Sequence, residues 1–232
     1  KPSDTLTDIE IVALKCRTES VEKAVGDCSL AAHWLLAGGA AQVYWKYCST
    51  FDSTDTGNIG PVAEAIMAIT RQNQVLYCPA FPENGRSVFM GHLFVGNQLL
   101  NESSMKDHPL TPMTDANLAR ILAPQVKAPV GTWSRIAQKN RSAFPQETHI
   151  IGDAVELLDL EFLARNTPSS VLLTGGSALA MPLPGILGIA STEKSADPRV
   201  QDRAVILSGS CSHMTQQQVD LYRQKHPSYQ IK

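Results

Sequence analysis

Short runs of β-branched and aromatic residues alternate along this chain with longer stretches of helical period, and this alternation restricts the fold more than any other feature. The runs fall at 8–14, 42–47, 74–77, 149–151, 170–173 and 204–207. Most are apolar throughout rather than at every second position, the pattern of strands buried on both faces. The helical stretches fall at 20–37, 61–71, 115–122, 154–165 and 216–225. Strands buried on both faces and separated by helices predict an α/β fold with a mostly parallel, doubly wound sheet.

Local signals support several of these elements. Gly38-Gly39 is placed to end the first helix. Pro61 suits a first helical position and Thr114 an N-cap. Thr215 with Gln218 three residues on reads as a capping box. The stretch 89–112 is different: Gly91, Gly96-Asn97, His108-Pro109 and Thr111-Pro112 are turn signals with little periodicity between them. It reads as an excursion with a short hairpin or irregular loops. Residues 185–203 are polar and follow Leu-Pro-Gly, as a linker would. The expected organisation is a first domain over 1–184, a linker over 185–203, and the start of a second α/β domain over 204–232.

A chain of 232 residues with 43% apolar residues and 18% charged residues can bury a core. A net charge of −2 gives no reason to expect a nucleic-acid or membrane surface. The cysteines, at 16, 28, 48, 78 and 211, are odd in number and widely spaced, with no C-x-x-C. That argues for a reducing, cytoplasmic setting and against a disulfide frame or a zinc site; no metal ligands are expected.

The chemistry-bearing residues collect after the strands. In an open α/β sheet that edge is where ligands bind. Lys15 and Arg17 follow the first run, Lys46 ends the second and Arg86 follows the third. The loop after Lys46 carries Ser49, Thr50, Asp52, Ser53, Thr54 and Asp55 before Gly57-Asn58-Ile59-Gly60-Pro61. Arginine grips carboxylate or phosphate through a planar fork, and lysine adds a point charge. Together with the hydroxyls, these cations predict a site for a small, anionic, hydroxyl-rich molecule. Asp52, Asp55 and Asp153 are candidate acid/base or metal groups, or equally helix caps and turn formers. His92 and His108 lie in the excursion. The glycine-rich turns Thr174-Gly175-Gly176-Ser177 and Ser208-Gly209-Ser210-Cys211-Ser212 could cradle a phosphate or simply be tight turns; neither is a Walker A motif.

Longer motifs narrow this. Lys46-Tyr47-Cys48-Ser49-Thr50-Phe51-Asp52-Ser53-Thr54, Gly57-Asn58-Ile59-Gly60-Pro61, Pro82-Glu83-Asn84-Gly85-Arg86, Gly91-His92-Leu93-Phe94-Val95 and His108-Pro109-Leu110-Thr111-Pro112-Met113 run in the order found in the four-carbon acid sugar kinases. The chain resembles the 3-oxo-tetronate kinase type of that family. Leu207-Ser208-Gly209-Ser210-Cys211-Ser212 and Met214-Thr215 are similar to the start of its nucleotide-binding domain.

The resemblance implies ATP-dependent phosphorylation of a four-carbon sugar acid (3-oxo-tetronate, threonate or erythronate) at its terminal hydroxyl, with Mg²⁺ accompanying ATP. Taken with the strand-end placement of the cations and hydroxyls, it gives expected substrate contacts from Lys15, Arg17, Lys46, Ser49, Thr50, Ser53, Asn84, Arg86 and His92. Asp52 becomes the candidate catalytic base, and Ser208, Gly209, Ser210 and Ser212 the nucleotide contacts. The expected partner is the sugar acid alone, with no nucleic acid and no membrane, and a homodimer is among the expected assemblies. The family opens with a strand and an Asp-Asp-Phe-Thr-Gly-Ala turn that nothing before Asp8 matches, and it continues well past the Ser208–Ser212 turn. The expectation is therefore a partial view of a longer chain; a sugar-acid-binding module without catalysis is the alternative. An aldolase or dehydrogenase on a similar sheet is a third reading, since fold does not fix function.

Overall fold

The computed structural model describes residues 7–189, 205–209 and 213–231. Its elements run α1 (Val21–Ala37), β1 (Trp45–Lys46), α2 (Ile59–Thr70), β2 (Gln74–Cys78), β3 (Arg86–Phe89), β4 (His92–Val95), β5 (Gln98–Leu99), α3 (Leu118–Leu122), β6 (Val130–Trp133), α4 (Arg135–Lys139), β7 (His149–Gly152), α5 (Leu157–Asn166), β8 (Val171–Gly175), α6 (Ser177–Ala180), α7 (Leu183–Ile186) and α8 (His213–Arg223). Residues up to 189 belong to one compact unit and the later ones to a second.

In the first unit five strands form a parallel sheet in the order β1-β8-β2-β7-β6. Every residue of β7, and all of β2 after Gln74, is buried, as helices flanking the sheet require. Helix α1 begins where the Ser20 hydroxyl accepts the Lys23 N–H at 3.3 Å. Ala24, Cys28 and Ala32, at four-residue spacing, are its buried stripe. It packs on α2, whose Val62, Ala63 and Ile66 are buried and which packs in turn on β2 and β8. A capping box between Glu156 and Asp159 starts α5.

A second, antiparallel sheet of β3, β4 and β5 grows out of the excursion. Met90 and Gly91, with φ of 51° and 71°, turn the chain between β3 and β4. Two successive positive φ values are what a two-residue hairpin turn of the strand-matching hand needs.

Several expectations are corrected. Residues 8–14 form no strand, and Ile11 is 83% exposed. A β-rich run becomes a strand only beside a partner's backbone, and no described residue pairs with it. Residues 205–207 are likewise exposed and form no strand; Ala204 lies outside the described residues. The run 42–47 yields only the two residues of β1 at the sheet edge. Strand β6 escaped the sequence reading because Val-Gly-Thr-Trp is short and interrupted by glycine. Helix α2 starts at Ile59, so Pro61 is its third residue. Asn117, not Thr114, caps α3 by accepting the Arg120 N–H at 3.0 Å. Helix α8 starts at His213, which puts Thr215 inside it. Helix α7 runs into the stretch expected as linker, and residues 190–203 lie outside the described residues. No helix among the described residues is long and apolar enough to cross a membrane.

Among the described residues, one imidazole lies in the core. His149 is fully buried, with Nδ1 2.9 Å from the Tyr77 hydroxyl and Nε2 3.5 Å from Glu64 Oε1. Burial lowers its pKa below the ordinary 6.5, although Glu64 pulls the other way. The unfolded chain then binds a proton that the folded chain refuses, so the contribution to stability is complete above pH 6.5 and is lost as pH falls through the depressed folded value. Comparing urea midpoints across this range for wild type and His149→Gln should show a steeper acid decline in the wild type. Parallel curves would remove His149 as the cause.

Candidate functional site

The parallel sheet ends in one row. Lys46 pairs with Gly175 and Gly175 with Cys78. Tyr77 pairs with Ile151, which sets Cys78 beside Gly152, and Gly152 pairs with Trp133. The loops that leave β1 and β2 in this row carry Ser49, Thr50, Asp52, Ser53 and Asn84 and lead to Arg86. Lys15 and Arg17, expected after a first strand, instead precede α1 with no strand before them among the described residues, and His92 lies in the antiparallel sheet.

The first cluster joins two loops. Arg17 Nη1 lies 3.1 Å from Asp52 Oδ2, and the Thr50 hydroxyl donates to the other Asp52 oxygen. Cys48 Sγ lies 3.0 Å from Thr50 Oγ1. Asp52 and Thr50 are buried, whereas the Arg17 side chain is 53% exposed. Between them Phe51 is fully buried with φ of 56°. Left-handed backbone at a bulky residue costs about 1–2 kcal/mol and persists only where surrounding contacts enforce it. Here the enforcing contacts include the Phe51 N–H bond to the Cys48 carbonyl at 3.0 Å and an edge-on ring contact with Tyr47. Asn58 clamps the Arg17 turn, its Nδ2 donating to the carbonyls of Cys16 at 2.8 Å and Glu19 at 3.1 Å.

The same loop is fixed on its far side by Gln125. Its Nε2 donates to Ser53 Oγ at 2.9 Å and to the Thr54 carbonyl at 2.8 Å, and its Oε1 accepts the Gly60 N–H at 3.0 Å. A Cβ on Gly57 would stand 1.9 Å from Ser53 Oγ and 2.9 Å from the Thr54 backbone carbonyl, so a side chain there would disturb this loop. A cavity of about 270 Å³ opens beside this stretch, lined by Ser53, Thr54, Thr56, Met113 and the Asp115–Arg120 ion pair. The Arg120 guanidinium holds the Asp115 carboxyl below its ordinary pKa.

The other expected residues are placed separately. Arg86 opens β3, exchanges backbone bonds with Phe81 and donates through Nη1 to the Asn84 carbonyl. Its Nε is buried and has no hydrogen-bond partner among the described residues. Asn84 is exposed, just before Gly85 with φ of 67°. His92 lies at the start of β4, where Nδ1–H donates to the Met90 carbonyl at 2.8 Å and Nε2 accepts from Asn117 at 3.3 Å. Both ring nitrogens are therefore engaged, one within the hairpin and the other by the N-cap residue of α3. His108 accepts from the Thr111 N–H at 3.0 Å, within its own turn. Lys15 and Lys46 are exposed and Ser49 is half-buried. Ser208 and Gly209 are exposed, in the second unit; Ser210 and Ser212 lie outside the described residues.

Asp153, weighed in sequence as an acid/base or metal group, has a structural role. It is fully buried, and its carboxylate accepts the N–H groups of Met90 at 2.7 Å, Gly91 at 2.9 Å and Arg135 at 3.0 Å. Burial raises its pKa, against the pull of these three bonds. It thus pins the β3–β4 turn to the end of β7. The turn Gly175-Gly176 is also explained by packing: a Cβ on Gly175 would stand 2.3 Å from the Cys78 carbonyl, and one on Gly176 2.9 Å from that of Pro79. Among the described residues no group of three or more His, Cys, Asp and Glu side chains could hold a metal.

Asn58 and Gln125 were not identifiable as site builders from sequence. Asn58 stands in a quoted motif, but its partners lie about 40 residues away. Gln125 bonds locally only to the Ile121 carbonyl, at 3.2 Å; the partners that make it a site builder are at 53–60.

An open parallel α/β domain with polar strand-end loops is the class this geometry defines. A family model described as sugar-binding N-terminal domain matches residues 2–183, and the chain belongs to that family. A 3-oxo-tetronate kinase of Burkholderia multivorans is 44% identical over 239 residues, covering 97% of this chain and 56% of its own length. The crystal structure of a Haemophilus influenzae protein is 37% identical with a TM-score of 0.76, covering 99% of this chain and 58% of that one. A Bordetella bronchiseptica domain of unknown function, described as a domain-swapped dimer with bound citrate, shares the fold at 24% identity and a TM-score of 0.59, covering 74% of this chain and 44% of its own. The chain spans a little over half the length of the curated relatives it matches.

Proposed function

We propose that this chain is the substrate-binding part of a kinase that transfers the ATP γ-phosphoryl group to the terminal hydroxyl of a four-carbon sugar acid, of which 3-oxo-tetronate is the first choice. The kinase names of relatives that align with nearly all of this chain support the activity. The observation that carries the substrate class is Arg86. A buried guanidinium N–H without a partner is costly, and an anionic oxygen would complete it. Lys46 at the strand end and Lys15 add positive charge, and Ser49, Thr50, Ser53 and Asn84 offer polar contacts to the sugar hydroxyls. His92 would then contribute mainly by fixing the hairpin.

Both Asp52 oxygens already accept hydrogen bonds. That arrangement suits Asp52 to orienting Arg17 towards developing phosphoryl charge; acting as a base would first require it to release Thr50. ATP would be met by Ser208, Gly209, Ser210 and Ser212, with Mg²⁺ on its phosphates, since phosphoryl transfer rests mainly on positioning and charge stabilisation. The protein would act in the cytoplasm, with a homodimer as its assembly.

Calorimetric titration of 3-oxo-tetronate, threonate and erythronate into the chain tests the substrate class. Arg86→Ala should weaken the best ligand at least tenfold, because a charged hydrogen bond contributes about 1.5–3 kcal/mol. An unchanged Kd would remove Arg86 from the site. ADP release by the full-length gene product with the same acids separates the kinase from a binding module, which would bind without turnover.

A further inference from the structure

The Arg17 turn carries a second chemistry that the sugar-acid site does not use. Cys16 Sγ lies 3.9 Å from Cys28 Sγ, with Cys28 donating its S–H. Both thiols are free; Cys28 is buried on α1 and Cys16 is half-exposed. A disulfide is about 2.05 Å long, so the sulfurs must close by roughly 2 Å. Cys28 is held within the α1 stripe, three turns of which are packed through Ala24, Cys28 and Ala32. Cys16 sits in a turn before the helix, where the Glu19 N–H and Asn58 Nδ2 both bond its carbonyl. Cys16 lies outside the packed helix, so closing the gap strains those two bonds and shifts the next residue, Arg17, whose guanidinium is tied to Asp52.

We propose that Cys16 and Cys28 form a reversible disulfide that displaces Arg17 from Asp52. The oxidant is a hydroperoxide. The half-exposed Cys16 sulfur attacks one peroxide oxygen, breaking the O–O bond and leaving Cys16 as sulfenic acid with one water released from hydrogen peroxide. Cys28 sulfur then attacks Cys16 sulfur; the S–O bond breaks, a second water leaves and the S–S bond forms. Two thiols and one peroxide give one disulfide and two waters, and a dithiol reverses the change by exchange. Burial, and then the neighbouring Cys16, push the Cys28 thiol up to about 12, so Cys16 and not Cys28 is the sulfur that meets the peroxide; the Cys28 proton leaves with the hydroxide as the second water. The effect on ligand rests on the sugar-acid reading above; the bond itself does not.

The experiment treats the wild-type chain with hydrogen peroxide, alkylates remaining thiols, and reads intact mass and peptide map. The expected result is a loss of two hydrogens, a Cys16–Cys28 cross-linked peptide, and full reversal by dithiothreitol. Cys16→Ser, at a half-exposed position, should lose the cross-link while keeping its fold. Oxygen added to Cys16, a cross-link to Cys48, or equal alkylation of Cys16 before and after peroxide would overturn the proposal. In parallel, 3-oxo-tetronate affinity should fall about tenfold on oxidation of the wild type, the size of one lost charged hydrogen bond, and stay constant in Cys16→Ser. Equal affinity in both redox states would overturn the coupling to Arg17. A cross-link in a protein that binds no sugar acid in either state would count against the sugar-acid reading and leave the disulfide standing.

Discussion

Replacing Asp153 by alanine should lower the unfolding free energy by about 4 kcal/mol, since it strands three N–H donors at once, one in a buried bond and two in part-buried ones. Those donors belong to Met90, Gly91 and Arg135, and each bonds the carboxylate at 3.0 Å or less. The first two form the tip of the β3–β4 hairpin, and the third opens α4. No water can replace the carboxylate without entering a site that is fully buried. Asp153→Asn keeps the shape and one acceptor oxygen but turns an amide N–H₂ towards donors, so its loss should be smaller, about half. Urea unfolding followed by circular dichroism measures both. A loss under about 1 kcal/mol for Asp153→Ala would mean that the hairpin is held by its other contacts. Among those are the paired bonds between Val88 and Ala154, at 2.8 and 3.0 Å.

Gly175→Ala should cost about 3 kcal/mol or more, because the added methyl group meets backbone and not a flexible side chain. Its Cβ would lie 2.3 Å from the Cys78 carbonyl oxygen, 2.9 Å from the Tyr44 hydroxyl and 3.0 Å from Leu179. Relieving the first contact means separating β8 from β2 at the carboxyl end of the sheet, where Gly176 N–H bonds the Cys78 carbonyl at 3.1 Å. Relieving the second endangers the Tyr44 bond to the Gly176 carbonyl at 2.6 Å. Lys46 shares this register row, so under the proposed function sugar-acid affinity should fall with stability. A Gly175→Ala protein with the wild-type urea midpoint would show that the strand ends can spread freely.

These two positions show where sequence reading stops. Asp153 after an apolar strand is compatible with a catalytic acid, a metal ligand or a cap. Only the arrival of a hairpin tip from 62 or 63 residues earlier decides among them. Gly175-Gly176 looks the same in sequence whether it cradles a phosphate or lets two backbones touch. The Cys78 and Pro79 carbonyls supply the reason for glycine, from the end of β2 and the residue after it, about 100 residues away. The opposite case is the 46–61 loop. Its density of hydroxyls and carboxylates after an apolar strand marks it in sequence, and the structure supplies the partners Arg17, Asn58 and Gln125.

The order of apolar runs and helical stretches by itself determined the α/β class and most of the parallel strands, because burial on both faces writes a continuous apolar run into the chain. The motifs by themselves carried the family. Only the tertiary structure decided that 8–14 pairs with nothing described, that β6 completes the sheet edge, and that the expected ligand residues fall into separate clusters. The physical reason is the same in each case: a strand, a buried carboxylate and a close backbone approach are defined by partners distant in sequence, and local pattern holds no record of which partner arrives.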